Sequence, residues 1–433
     1  MPPSLASRVA RLFRRAAPAA ALAGLIGLAG LAPRPATAAP SGKPIVIGFS
    51  MSLTGGLAAN GKAALLAMQI WAEQTNAKDG LLGRPVKLDY YDDQSNPALV
   101  PGIYTKLLDV DHVDLIVSAY ATNIVAPAMP IIMAHHRTFL GLLGLAVNSQ
   151  FKYNRYFSIA PTGGMHPKQS LSVPFFAVAA AMKPKPKTIA LVGADAEFPK
   201  NAIEGALQLA KANGFKVVYN QTYPPSTADF SPIIHAIQAR HPDIVMVASY
   251  PPDSVGMVRA AAEAGLKTRL FGGDMVGLQS TPIKVALGPL LNGITDYDFW
   301  LPVKGYATPE AMAFLKIYQA RAAKEGVDPL GYYLPPFAYS DMQVLGDAVE
   351  GTHSLDDAKL AAWMRSHSFN TVVGTIKFGP NGEWSAPRVL EAQFQGVKGH
   401  DVAAFRDPRT EVVLYPSSLA SGTLQAPYHG GAH

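Results

Sequence analysis

The sequence predicts an α/β protein of two lobes, each built on a parallel β-sheet that helices cover on both faces. From residue 45 onward, apolar segments typical of strands alternate with segments typical of amphipathic helices, which indicates parallel sheets. A second run of this alternation begins after residues 156–161, so two sheets are expected. No Gly/Ser-rich linker separates the runs. We therefore expect short crossing segments that join the lobes as a hinge.

The first run opens with the most informative stretch, a βαβ unit at residues 44–97. Its apolar strand 45–50 is followed by the small-residue loop Ser52-Leu-Thr-Gly-Gly56, a long helix, and a strand that ends in Asp92-Asp-Gln-Ser-Asn-Pro97. In open α/β sheets, ligands bind beyond the carboxyl ends of the strands, where loop amides and helix N-termini point. The binding site is expected there.

The same signals place the remaining elements along the chain. The first run continues with strands at 86–91, 114–118 and 138–141 and helices near 61–78, 97–109 and 123–134. The second run has strands at 188–193, 215–219, 243–248 and 269–272 and helices near 199–213, 230–240 and 253–265. Three helices near 308–325, 336–350 and 356–366 then precede a hairpin-like segment, 372–384, with the turn signal Pro380-Asn-Gly382. The Ser, Gly and Pro-rich segment from residue 412 is expected to lie over one lobe and to fray at its end.

Residues 1–39 have the features of a secretory signal peptide. Arginines at positions 8, 11, 14 and 15 precede an uncharged apolar run, and Ala36-Thr-Ala38 followed by Ala39 offers a small-residue cleavage site. An uncleaved membrane anchor is the alternative, but Pro18 and the many Ala and Gly residues make a poor spanning helix. The pair Arg14-Arg15 leaves twin-arginine export open beside the general route. We expect a mature chain that begins near residue 40.

Charge and cysteine content exclude several classes of function. The formal net charge is +6, but five arginines and no acid lie in the leader, which leaves +1 for the mature chain. A nearly neutral protein has no built-in attraction to nucleic acid or to an anionic membrane. With no cysteine in the chain, disulfides, thiolate metal sites and a cysteine nucleophile are excluded.

Several short segments, in their order and spacing, resemble the substrate-binding proteins of branched-chain amino acid type ABC transporters. They are Leu53-Thr-Gly55, Gly80-Leu-Leu-Gly-Arg-Pro-Val86, Asp92-Asp-Gln-Ser-Asn-Pro97, Phe230-Ser-Pro-Ile-Ile234, Pro242-Asp-Ile-Val245 and Glu263-Ala-Gly-Leu266. The resemblance covers residues 44–420. It implies the type I periplasmic binding-protein fold, with two Rossmann-like lobes, three crossings near residues 160, 295 and 390, and a ligand held between the lobes.

The resemblance also implies where the first lobe would hold a ligand carboxylate. The family uses a small hydroxyl residue and backbone amides at the start of the helix after the third strand, and Thr122 occupies that position, next to Tyr120 and Ala121. Free N–H groups and the positive end of a helix favour an anion. The alternative is that Thr122 or Asn123 only caps its own helix.

The other candidate residues are carried over from the family position by position. Ser52 and Leu53 belong to the first loop. Ala146 and Val147 match a small residue followed by Thr, although Val lacks the hydroxyl that helps to hold an amino group. The remaining three are the lid aromatic, the second aromatic and the amine-binding acid, which correspond to Phe198, Tyr250 and Asp274.

Alternatives stay open for two of these residues, and two positions depart from the family. Phe198 could be ordinary core, and the Gly-Gly-Asp sequence around Asp274 is also a normal loop or cap sequence. Asn60 stands where the family often places an aromatic that packs on the ligand. Together with Val147, it argues against a simple leucine-type ligand.

Enzyme signatures are weak throughout the mature chain. Residues 56–63 imitate a phosphate-binding loop, but Ala63 replaces the Ser or Thr that would coordinate magnesium. No Gly-x-Gly-x-x-Gly follows a strand and no Gly-x-Ser-x-Gly occurs. The neighbours Asp92 and Asp93 point to opposite sides of an extended segment, and His135 and His136 diverge around a helix. We expect no catalytic residues, no metal and no cofactor.

The sequence therefore predicts a monomeric periplasmic solute-binding protein, not an enzyme. It would capture an amino acid or a related aliphatic or aromatic acid and deliver it to the permease of an ABC transporter. The alternatives are a ligand-sensing receptor or regulator of the same fold and, third, an exported hydrolase. The expected domains are the signal peptide 1–39, one lobe of 43–160 with 296–388, a second of 161–295 with 389–420, and a flexible tail 421–433.

Overall fold

The strands and helices of the chain follow the predicted α/β alternation. The computed structural model describes residues 40–430, and the predicted leader lies outside them. The strands are β1 Ile45–Met51, β2 Val86–Asp92, β3 Leu115–Ile116, β4 Phe139–Leu142, β5 Tyr156–Ile159, β6 Thr188–Ala194, β7 Lys216–Tyr223, β8 Ile244–Ser249, β9 Lys267–Thr268, β10 Leu270–Met275, β11 Thr295–Asp298, β12 Ser368–Thr371, β13 Gly374–Lys377, β14 Leu390–Phe394, β15 Glu411–Tyr415 and β16 Tyr428–His429. The helices are α1 Ala58–Asn76, α2 Val100–Asp109, α3 Thr122–Ala134, α4 Val147–Phe151, α5 Pro167–Ala181, α6 Glu197–Asn213, α7 Ser231–Gln238, α8 Pro251–Glu263, α9 Thr281–Leu287, α10 Pro309–Glu325, α11 Leu334–Thr352 and α12 Asp357–Ser366.

The first run of elements forms a parallel arrangement in the strand order 2-1-3-4-5. Strands β2, β1 and β3 form one parallel sheet, and β4 pairs with β5 in parallel. A parallel bridge between Tyr120 and Leu142 links the end of the β3 segment to β4. This order is one of the common doubly wound arrangements, with its ligand crevice at the carboxyl ends of the strands.

The second run forms a seven-stranded sheet in the order β15-β14-β11-β10-β8-β6-β7. The five strands from β11 to β7 pair in parallel, whereas β14 and β15 add antiparallel to one edge. The central strand β8 has the sequence Ile-Val-Met-Val-Ala-Ser and is buried at every position. A continuous apolar run of this kind is expected for a parallel strand covered on both faces.

Helix α5 was not predicted from the sequence. It packs along α6 and against the seven-stranded sheet. Its sequence is apolar on most of its surface, contains Pro174, and buries nine of its fifteen residues. Because almost every side is covered, the sequence lacks the polar stripe that marks an amphipathic helix.

The hairpin and the tail differ in detail from the predictions. The hairpin consists of β12 and β13 and turns at Val372 and Val373, while the Pro380-Asn-Gly382 segment makes a smaller turn closed by a bridge between Phe378 and Trp384. The tail, expected to be flexible from residue 421, is largely exposed as far as residue 427 and lies against the rest of the chain at residues 428–430. There β16 pairs with β9, and Tyr428 is buried against Phe271.

Candidate functional site

Segments that follow strands of both sheets surround a narrow, tightly closed cavity, here called the central cavity, which leaves about 20 Å³ of room for water-sized molecules. Its lining consists of hydroxyl-bearing, aromatic and aliphatic residues. They are Tyr120, Ala121, Thr122, Leu143, Leu145, Ala160, Thr162, Leu171, Phe198, Tyr250, Val276, Tyr297, Phe299 and Tyr333. This is the position at which open α/β sheets bind ligands.

The start of α3 supplies backbone donors on one side of the cavity. Ala121 precedes the helix with φ 86°, which is unusual for a residue other than glycine. The helix begins at Thr122, so the N–H groups of Thr122 and Asn123 precede the first intrahelical hydrogen bonds. These donors and the helix dipole favour an anion at this end of the cavity.

Two threonine hydroxyls lie in the lining. Thr122 Oγ1 accepts a hydrogen bond from the N–H of Leu145 at 2.9 Å, so its own proton remains available for a solute. Thr162 Oγ1 is buried and has no hydrogen-bond partner among the described residues. A buried hydroxyl without a partner is costly, so a polar group of a solute would stabilise it. The Thr122 hydroxyl thus bonds Leu145, and the start of α3 has no side-chain cap.

Two predicted aromatics, Phe198 and Tyr250, form one wall of the cavity. Their ring centroids are 5.7 Å apart. Phe198 lies in the first turn of α6, and Tyr250 directly precedes α8. The Tyr250 hydroxyl donates to Asn123 Oδ1 at 2.9 Å, which links the segment after β8 to α3. A second link, from Asn201 Nδ2 to the carbonyl oxygen of Leu145, is 3.1 Å long.

Three tyrosines line another part of the cavity, and two of them were not predicted from the sequence. The hydroxyls of Tyr297 and Tyr333 are 3.1 Å apart, and Asn60 Nδ2 donates to the Tyr120 hydroxyl at 3.1 Å. Burial raises the pKa of Tyr120 to about 12, so its hydroxyl stays protonated at neutral pH. Phe299 stacks against Tyr333 with centroids 6.0 Å apart. Asn60, expected near the ligand, thus contacts the cavity through Tyr120.

Among the described residues, the lining of the central cavity contains no charged side chain. The predicted amine-binding acid, Asp274, lies on β10 outside the lining and is 1% exposed. Its Oδ2 accepts a hydrogen bond from Ser172 at 2.7 Å. Burial raises the pKa of Asp274 to about 7, and the Ser172 bond opposes this shift. An ammonium group in the cavity would therefore lack a lining carboxylate.

The remaining predicted residues also lie outside this lining. Ser52 Oγ donates to Asp93 Oδ1 at 2.5 Å, and the N–H of Leu53 donates to Asp92 Oδ1 at 2.9 Å, so both residues organise the loop after β1. Ala146 has a left-handed backbone and precedes α4, and Val147 is the buried first residue of that helix.

The largest groove lies elsewhere, between the end of α5 and the C-terminal segment. It contains about 1510 Å³ of empty space, including open solvent, and its walls include Met182, Leu414 and Leu424. The antiparallel edge strand β15 ends in this groove at Tyr415, whereas Tyr250 and Val276, which follow the parallel strands β8 and β10, line the central cavity. The smaller central cavity is therefore the candidate solute site.

The fold and this strand-end cavity define a solute-binding protein of the type I class. The chain belongs to the periplasmic binding protein family, whose model matches residues 44–387. A relative from Brucella abortus, named Leu/Ile/Val-binding protein homolog 8, is 25% identical over 82% of this chain and 89% of its own length.

Two solved structures of ABC transporter solute-binding proteins have the same fold. One, from Rhodopseudomonas palustris and in complex with benzoate, has a TM-score of 0.70 and 17% identity, and the match covers 90% of this chain and 99% of that chain. The other, from R. palustris HaA2 and in complex with p-hydroxybenzoic acid, has a TM-score of 0.70 and 19% identity, over 82% and 94% of the two chains. Both of these solved structures are named as solute-binding proteins of ABC transporters.

Within residues 40–430, no three His, Asp or Glu side chains are arranged to hold a metal ion. None of the helices in this part of the chain combines the length and the apolar character needed to cross a bilayer.

Proposed function

We propose that the protein is exported, captures a small carboxylate-bearing solute in the central cavity, and delivers it to the permease of an ABC transporter. The observation that carries the proposal is the start of α3 at the cavity. Thr122 and the adjacent backbone N–H groups offer several donors to one anion, and Thr162 adds a buried hydroxyl without a partner.

We further propose that the solute lacks an ammonium group. The lining contains no carboxylate, and Asp274 lies outside it with one carboxylate oxygen bonded by Ser172. Burying an unpaired ammonium is costly. The aromatic walls instead suit a flat apolar body, such as that of an aromatic acid. The benzoate-bound fold neighbour supports this class of solute by analogy.

An α-amino acid is the second candidate, because the Brucella relative is named for leucine, isoleucine and valine. To take such a solute, this chain would have to supply a new partner for the ammonium group. A ligand-sensing receptor of the same fold would bind similarly but pass its signal to a protein, and stimulation of a permease by the loaded protein separates the two roles.

Capture requires the two sheets to belong to two moving lobes, with the boundaries expected from the sequence. The chain leaves β5 for α5 near residue 160, leaves β11 for α10 after residue 298, and returns to β14 near residue 390. Helices α10 and α11 pack on α1, beside the first sheet, which supports three crossings between the lobes. Ligand binding would then shift the population toward the closed form.

The test is thermal unfolding of the mature chain, residues 40–433, after denaturation and refolding have removed bound solute. Benzoate, leucine and the uncharged benzamide are each added over a wide concentration range. A true ligand at about a hundred times its Kd should add roughly 2.7 kcal/mol of stability. We expect benzoate to stabilise the protein and benzamide not to. If no carboxylate in a broader panel raises the midpoint, the proposed function is wrong.

A further inference from the structure

We propose that Tyr120, Tyr297 and Tyr333, with Asn60 behind them, form a hydrogen-bonding subsite for an uncharged oxygen on the solute. This cluster is here called the tyrosine subsite. It would make the protein select carboxylates that carry a hydroxyl group over equally large carboxylates without one. The inference rests on the proposed function and adds to it a specificity determinant built from four named side chains.

The tyrosine subsite has more phenolic protons than acceptors for them. Asn60 Nδ2 donates to the Tyr120 oxygen, so the Tyr120 proton must point elsewhere. In the pair of Tyr297 and Tyr333, one hydroxyl donates to the other, and the accepting residue keeps its own proton. Even if Tyr120 donates to Tyr333, at least one of the three protons has no acceptor within the cluster.

The three tyrosines of the subsite are buried beside the central cavity. Tyr120, Tyr297 and Tyr333 are 2%, 1% and 5% exposed, so bulk water does not satisfy their hydroxyls. All three belong to the cavity lining. A buried hydroxyl proton without an acceptor costs free energy, and a solute oxygen placed in the cavity would supply the acceptor.

A hydroxyl group fits the tyrosine subsite better than an ammonium group or a second carboxylate. An ammonium group brings only donors, and it would leave the spare phenolic proton unsatisfied. A second carboxylate could accept that proton, but the lining contains no cation to offset its charge. A hydroxyl group both accepts and donates, and it adds no charge. It is therefore the best match to a row of neutral hydroxyls.

The position of Asn60 supports a recognition role for the cluster. Asn60 is 6% exposed, and its Nδ2 donates to the Tyr120 hydroxyl and so orients it. Phe299 packs against both Tyr297 and Tyr333, with centroids 4.9 and 6.0 Å away, and so limits the movement of their rings. A rigid, oriented set of donors discriminates better than a mobile one.

The experiment compares 4-hydroxybenzoate, 4-methylbenzoate and benzoate by titration calorimetry at pH 7. In 4-methylbenzoate a methyl group replaces the hydroxyl at nearly the same size. We expect the unmodified protein to bind 4-hydroxybenzoate at least about tenfold more tightly than 4-methylbenzoate. We expect Tyr333→Phe and Tyr297→Phe each to remove most of this preference, because they should weaken 4-hydroxybenzoate more than 4-methylbenzoate or benzoate.

Tyr339→Phe is the matched control, because Tyr339 loses the same atom but its hydroxyl bonds Gln74 outside the cavity. Thermal midpoints of all variants show whether they fold. The inference is overturned if the unmodified protein binds the methyl and hydroxyl acids equally, or if Tyr333→Phe weakens all three acids alike. The second result would assign the carboxylate itself to the tyrosines. If the protein binds none of these acids or any other carboxylate, the proposed function fails as well.

Discussion

The hydroxyl of Tyr250 donates a hydrogen bond to Asn123 Oδ1 over 2.9 Å, joining the segment after β8 of the seven-stranded sheet to the first turn of α3. The Tyr250 ring also lies beside Phe198 at the central cavity, with an angle of 50° between the ring planes. The same side chain therefore contributes to the wall of the cavity and to a direct connection between the two halves of the structure.

Removing this connection should destabilise the closed form without changing the shape of the cavity. We expect Tyr250→Phe to speed the dissociation of benzoate by about three- to tenfold, since one neutral hydrogen bond is lost. Stopped-flow dissociation measures the effect. Tyr219→Phe on β7 is the control, because its hydroxyl has no assigned partner and lies away from the cavity. Equal dissociation rates for Tyr250→Phe and the unmodified protein would contradict a closing role.

Thr122 should contribute to both stability and binding. In Thr122→Val, the buried N–H of Leu145 loses its acceptor, which should cost about 1–3 kcal/mol in the free energy of unfolding. The affinity for benzoate should also fall, because the hydroxyl donor is gone. Thr122→Ser retains the hydroxyl and should keep most of both properties. Urea denaturation and calorimetry measure them. Tight benzoate binding by the Val variant would exclude a contact between Thr122 and the carboxylate.

The central strands were predicted well from the sequence because each buried strand is a local run of mostly apolar residues. Strands β6 and β8 were expected at 188–193 and 243–248 and occupy Thr188–Ala194 and Ile244–Ser249. Strand β11 was missed because its sequence, Thr-Asp-Tyr-Asp, is polar. Its Asp296 is buried only because distant groups bond it, namely the N–H of Met275 and the side chain of Gln279.

The candidate site was predictable only where a family position could be carried over. Thr122, Phe198 and Tyr250 were named in this way and do line the central cavity. Tyr297 and Tyr333 were not named, since one lies in the polar strand β11 and the other precedes α11. They meet only through the tertiary fold, and no local pattern marks them. Asp274, also named from the family, lies outside this lining, and its amine-binding role stays a prediction.

Asp274 should affect the pH dependence of stability. Its pKa is about 7 in the folded protein and near 3.8 in an unfolded chain, so the folded state holds a proton that the unfolded state releases. This contribution to stability is complete below pH 4 and is lost as the pH rises to 7. We expect Asp274→Asn to lose less stability than the unmodified protein between pH 5 and pH 8, measured by urea denaturation.

The same variant tests the role that the family resemblance implied for Asp274. We expect Asp274→Asn to bind benzoate with unchanged affinity, since the side chain does not line the cavity. A large loss of affinity for leucine in this variant would instead support an amine-binding role. Asp296 and Glu391 also have pKa values raised mainly by burial, so the slope with pH should become smaller without disappearing.

The buried ion pair between Lys284 on α9 and Glu411 on β15 should stabilise the edge of the seven-stranded sheet in a pH-dependent way. Lys284 is 1% exposed, and Asp298 lies close enough to interact with it. Lys284→Met leaves two buried acids without a cation, which should cost about 3–5 kcal/mol at pH 8. At pH 5 the cost should be smaller, because burial raises the pKa of Asp298 well above its usual range and this carboxyl group can take up a proton instead of remaining charged.

Arg409→Met is the matched control for this variant. It removes the cation of an ion pair with Asp407 whose arginine side chain is 87% exposed, and exposed pairs contribute about 1 kcal/mol or less. Urea denaturation of both variants at pH 5 and pH 8 gives the comparison. An equal cost for Lys284→Met at the two pH values would mean that Asp298 does not become protonated, and that the loss arises from packing around the lysine side chain rather than from unpaired charge.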